Sequence, residues 1–216
     1  MMTKRLIITI ICMVLMSGAK AKSMSELWTC LPDSVIPYLD RAHRVQMMEY
    51  IKMGLKADVD NSLAEKSMVD TLTADYIHLT LNESVVMELK KLPQTGGDSL
   101  ICMVTTWKGP AEESRVRFFS QSWQELDLSH AFHEKELANL TEELIQKPDT
   151  MDEKRFGELR SMIDPMLVSA HLSPNDNQLQ VQLLTDLLSA DDRKAVGVLI
   201  RPLFLSWNGT TFQKTE

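Results

Sequence analysis

The chain has 216 residues, enough for one large domain or two small ones. Thirty acidic against 23 basic residues give a formal net charge of −7, which argues against a nucleic-acid or anionic-membrane partner. Three cysteines are too few for a disulfide scaffold.

The first element is an export signal. Lys4 and Arg5 precede an apolar run of eleven, residues 6–16 (LIITIICMVLM), and Ala19-Lys20-Ala21 offers a small-x-small cleavage site. The run is too short for an ordinary spanning helix, which needs about 20 apolar residues. Cleavage after Ala21 leaves 195 residues, with 20 basic against 30 acidic side chains and a formal charge of −10. It also leaves Cys30 and Cys102, which either pair or stay as two buried thiols. A cysteine-based metal site lacks any CxxC spacing.

Residues 22–33 (KSMSELWTCLPD) read as an irregular lead-in anchored by Trp28 and Leu31. Pro37 suits an early helical turn, and Val45, Met48, Ile51 and Leu55 recur at helical spacing, so a helix is expected over 35–56. A short helical piece over 56–66 follows. Strands are then expected over 71–81, 84–92, 100–107, 115–120 and 123–126, separated by Asn82-Glu83, Gly96-Gly97 and Lys108-Gly109-Pro110. In the second of these, Val85, Met87 and Leu89 share one face, while Glu88 and Lys90 take the other.

Helical spacing returns over 129–146, with Leu137, Leu140 and Leu144 as the buried stripe, and over 152–163, until Pro165 blocks continuation. Strands follow at 166–172 and around Leu179, Val181 and Leu183. After a loop at 189–194, a long strand is expected over 196–207, with Pro202 marking an edge or bulge. Asn208-Gly209 turns the chain into a return at 211–213.

The pattern sums to an α+β fold in two frames, 34–128 and 129–216, each with helices before a four-stranded antiparallel meander, in which 115–120 and 123–126 together close the first. Tandem duplication and one continuous α+β domain both fit. Joined edge to edge, the meanders would make one curved eight-stranded sheet. Such a sheet resembles the tandem-repeat fold of secreted β-lactamase-inhibitory proteins, whose concave side binds a partner.

Closer in sequence is a second likeness. Residues 26–50 (ELWTCLPDSVIPYLDRAHRVQMMEY), 72–84 (LTADYIHLTLNES) and 101–116 (ICMVTTWKGPAEESRV) are similar to an uncharacterised family of exported proteins from Bacteroidetes. The resemblance implies a Gram-negative periplasm or cell surface and carries over no functional residue.

Chemical motifs are weak. His130 and His133 share a helical face beside Glu134 and near Asp127, but no third protein ligand is evident, so no metal site is assigned. His43, His78 and His171 stand isolated. There is no GxSxG elbow. Cys102 lies among Ile101, Met103 and Val104, where burial suppresses a thiolate. Glu112-Glu113 and Asp191-Asp192 read as solvated loop charge. Gly96-Gly97 lacks the lysine of a phosphate loop, and no cofactor is implied. Arg115 and Arg117 share a strand face, where they suit an acidic ligand or cross-strand pairing with Glu88 or Glu125. The expected function is an exported binding module that meets a protein partner through an uncovered sheet face, with Trp107, Phe119 and Trp207 as its contacts. The alternatives are an envelope-assembly role and an unrecognised hydrolase.

Overall fold

A computed structural model describes residues 22–128, 131 and 140–214. The expected lead-in begins with a helix, α1 (Met24–Thr29). A capping box makes so short a helix possible: Ser23 Oγ accepts from the Glu26 N–H at 3.2 Å, and the Glu26 carboxylate accepts from the Ser23 N–H at 2.7 Å. The next helix, α2 (Arg41–Lys52), starts later than its apolar spacing suggests. Pro37 lies in the turns before it, and Asp40 caps it by accepting from the His43 N–H at 3.0 Å. The expected helical piece over 56–66 is instead a short strand and a turn.

Seven strands form one antiparallel meander in sequence order: β1 (Asp58–Asp60), β2 (Lys66–Leu72), β3 (Tyr76–Asn82), β4 (Val85–Pro93), β5 (Ser99–Lys108), β6 (Glu112–Phe119) and β7 (Glu125–Leu126). Its hairpins fall where turn residues placed them, with Gly96 and Gly97 at φ +122° and +107° between β4 and β5. Both faces are apolar. Ile77, Leu79, Leu89, Ile101, Met103 and Phe119 pack under α1 and α2. Tyr76, Leu92, Cys102, Val104 and Phe118 point the other way, into a second core.

That second core is shared with the rest of the chain. After α3 (Thr141–Leu144) and α4 (Glu153–Ser161) come β8 (Leu167–Leu172), β9 (Gln178–Leu184), α5 (Ala190–Val196), β10 (Leu203–Trp207) and β11 (Phe212–Lys214). The strands form a four-stranded antiparallel sheet in the order β11-β10-β9-β8. Leu179, Val181, Leu205 and Trp207 meet Phe118, Leu92 and Cys102, with Leu159 of α4 and Val196 of α5 in the same cluster.

The fold is therefore α+β, with two antiparallel sheets of seven and four strands among the described residues. The expected single eight-stranded sheet is not what forms: the sheets pack face on rather than edge to edge. Strand β8 crosses β6 and reaches β4. The Ala170 N–H donates to Ser114 Oγ of β6 at 3.0 Å, and Lys90 Nζ of β4 donates to Pro174 O at 3.3 Å. Small side chains allow this approach: Ser114, Thr106, Ser169 and Ala170 are all buried. The turns also meet, with the Thr95 N–H donating to Gly209 O at 3.1 Å. Gly209 has φ +103°, and a Cβ there would lie 2.5 Å from Thr95 Oγ1.

Two further differences have local causes. The expected loop at 189–194 is α5, because Ser189 Oγ accepts from the Asp192 N–H at 3.1 Å and Asp191 and Asp192 complement the helix N-terminus. The expected long strand over 196–207 shrinks to Leu203–Trp207, because Val196 closes α5 and Pro202 cannot donate to a ladder. The two cysteines are both free: Cys30 is exposed just after α1, and Cys102 is buried on the opposite face of the long sheet. Among the described residues, no helix is long and apolar enough to cross a membrane.

Candidate functional site

Helices α1 and α2 cover only part of their face of the long sheet. Where they stop, a cleft of about 310 Å³ opens. Its floor is Val85 and Met87 of β4, Thr105 and Trp107 of β5, and Arg115 and Arg117 of β6. The registers Val85↔Trp107, Met87↔Thr105 and Thr105↔Arg115 set these side chains side by side on one face. Val35 and Tyr38, from the turns before α2, close the cleft on the helix side.

Trp107 is 44% exposed, which is unusual for so large an apolar ring beside a core. Arg117 is partly covered: it lies over the Phe119 ring at 5.1 Å, donates to Met103 Sδ at 3.3 Å and meets Glu125 at 3.8 Å. Burial holds its guanidinium below the ordinary range and Arg115 adds to this, while Glu125 acts against both. Arg115 is exposed and makes no ion pair within 4 Å among the described residues. On the opposite wall, burial and the nearby Glu65 carboxylate push the Tyr38 phenol up.

A second polar cluster lies between the sheets. Glu88, 4% exposed, accepts from the Tyr76 hydroxyl at 2.7 Å and the Leu172 N–H at 3.4 Å, and meets His171 Nδ1 at 3.5 Å. Lys90, 1% exposed, pairs with Asp75 at 3.0 Å and lies 5.9 Å from the Tyr76 ring centre. Burial, then Glu88, pushes the Tyr76 phenol far up. The cluster satisfies its own charges and joins β3, β4 and β8, which is the pattern of a structural clamp.

His171 gives that clamp a pH dependence. The hydrogen bond to Glu88 raises its pKa and the charges of Glu88 and Glu112 add to this, against desolvation. A raised folded value means that the pairing stabilises fully below the unfolded value, about pH 6.5, and is lost as pH rises through the folded one. Urea unfolding from about pH 6 to 8.5 should therefore show wild type losing stability relative to His171→Gln as pH rises. Parallel profiles would show that His171 does not carry the effect.

The residues singled out as partner contacts do not share a surface. Trp107 is in the cleft, but Phe119 is 3% exposed under α1 and α2, and Trp207 is 8% exposed between the sheets. Both are core residues, because each sheet face that bears them is covered. Arg115 and Arg117 do share a face, and Arg117 meets Glu125 as expected. Glu88 is on the opposite face, held by Tyr76 and His171.

Cys102 is fully buried, and burial followed by the Glu88 charge pushes its thiol well up, so it is no nucleophile near neutral pH. His43 pairs with Asp40 at 2.8 Å, and His78 with Asp70 at 2.9 Å. Glu112 and Glu113 belong to β6 rather than a loop. His130, His133 and Glu134 lie outside the described residues, and no group of three metal-ligating side chains occurs among the described ones.

The geometry defines a class: an α+β protein of two packed antiparallel sheets, with an open cleft on the longer one. A family model matches residues 16–212, and the chain belongs to that family, DUF3256, proteins of unknown function. A domain of an uncharacterised protein from Porphyromonas gingivalis W83 has a similar fold, with a TM-score of 0.73 at 18% identity over 90% of this chain and all of that one. No curated protein matches.

Proposed function

We propose that the chain is an exported binding module of the periplasm or cell surface, which contacts a protein partner through the cleft around Trp107. The observation that carries this is the grouping of Trp107, Tyr38 and two arginines at the uncovered end of the long sheet. Tryptophan, tyrosine and arginine are the side chains that dominate binding energy at protein interfaces. Export rests on the charged, apolar and small-residue pattern of residues 1–21. Cleavage after Ala21 also suits the fold. Lys22 would become the N-terminus, and it is already held: its N–H and Nζ both donate to Gln121, and its carbonyl accepts from Lys91 Nζ at 2.8 Å.

Expression of the full chain in a Gram-negative host tests both parts. The expected product is periplasmic or at the cell surface, with an intact mass that starts at Lys22. A photocrosslinker at position 107 should give one discrete adduct, absent when the crosslinker replaces Val198, which is 46% exposed elsewhere. Cytoplasmic retention of the uncleaved chain would end the export reading. Equal labelling from both positions would end the cleft as the contact surface.

A further inference from the structure

We infer that the cleft takes an acidic peptide segment, in extended conformation, with a carboxylate at every second position. The inference rests on the cleft being the contact surface proposed above and adds the chemistry of its occupant.

Charge complementarity is the first argument. The chain has 30 acidic residues, yet among the described residues none lines the cleft, whose charged lining is Arg115 and Arg117. Glu113, two residues before Arg115 on β6, is not part of the lining. Among the described residues, the ion pair of Arg117 is the long contact to Glu125, and Arg115 has none. Two guanidiniums on one strand face therefore repel each other beside a partly desolvated floor. A carboxylate at each relieves that repulsion, and the planar fork of arginine suits it.

Spacing points to a peptide. Arg115 and Arg117 are two residues apart on β6, so their side chains leave the sheet roughly 6.5–7 Å from one another. Carboxylates at alternate positions of a second extended chain have the same repeat. Trp107, Val35, Val85 and Met87 flank the arginines and offer apolar surface to the methylene stems of the same acidic side chains.

The test uses three blocked hexapeptides, each with three leucines alternating with glutamate, glutamine or lysine. Binding to the purified protein is followed by calorimetry and by tryptophan emission. The glutamate peptide should bind about tenfold or more tightly than the glutamine one, and the lysine peptide more weakly still. Its affinity should fall with added salt. Arg115→Gln should weaken it about tenfold. Trp107→Phe should remove the emission change. Both residues are exposed, so a melting curve matching wild type would confirm that the variants fold. Equal binding of the glutamate and glutamine peptides overturns the acidic class but leaves the cleft as a contact surface. Binding that ignores both variants, or no binding of any peptide, overturns the inference outright. The crosslink at position 107 then judges the broader reading on its own.

Discussion

Arg44→Ala is expected to destabilise the protein by about 3–5 kcal/mol, the usual cost of breaking a buried charge network. Arg44 is fully buried on α2. Its guanidinium donates to the carbonyls of Leu31 and Leu39 and pairs with Asp33 at 2.8 Å. It also lies 5.8 Å from the Trp28 ring centre. The side chain thus pins the turns between α1 and α2, which have no ladder of their own. Alanine would leave two carbonyls short of donors and open a void beside Trp28. For a chain of this size the melting temperature should drop on the order of 10 °C. Arg44→Lys should fall in between, because one ammonium cannot reproduce the fork. A loss under about 1 kcal/mol for alanine would show that the turns hold without this network.

Much of the long sheet was legible because its strands are hairpin-connected neighbours. Alternation placed β3 to β6, and Gly96-Gly97 and Asn208-Gly209 marked two of the turns. Helix α1 was also written in the chain as Ser23-Met24-Ser25-Glu26, a capping-box signature. The segment is too short for helical periodicity to register. The harder errors concern faces. Glu88 and Lys90 alternate with Met87 and Leu89, which reads as a solvated side. The side is buried, because β8 supplies His171, Leu172 and the chain to Pro174, more than 80 residues away, to complete their bonds. No local pattern carries that information. The same gap misplaced Phe119 and Trp207, since alternation says which residues share a face and not what lies over it.

The candidate site shows the same division. That Arg115 and Arg117 share a face follows from the strand period alone. That Trp107 joins them follows from the register of β5 on β6, where Thr105 sits opposite Arg115. The wall of Val35 and Tyr38 was not legible, because it depends on the turns before α2 and on Arg44 holding them. The cleft is thus built by the same buried arginine that fixes the helical layer. A substitution at Arg44 should therefore change the shape of the cleft at Trp107 without touching it.

Trp207→Ala should cost about 3–5 kcal/mol, as for other large aromatic truncations in a core. Trp207 lies 6.1 Å from the Phe118 ring centre and 5.2 Å from that of Phe212, and its indole N–H donates to Pro93 O at 2.6 Å. It therefore ties β10 and β11 to β4 and β6. Trp207→Phe keeps most of the ring packing but leaves Pro93 O without this donor, for a smaller loss of about 1–2 kcal/mol. Trp107→Ala, at the open cleft, should change stability by only about 0.5 kcal/mol. The comparison also tests whether the two sheets unfold together. Phe118 and Leu92 of one sheet and Trp207 and Val181 of the other belong to one buried cluster, so loosening it should weaken both sheets at once. Urea unfolding followed by far-ultraviolet circular dichroism and by tryptophan emission should then give one coincident transition, shifted to lower urea in Trp207→Ala. An early transition confined to the four-stranded sheet, with the rest unfolding as in wild type, would show that the shared core does not couple them.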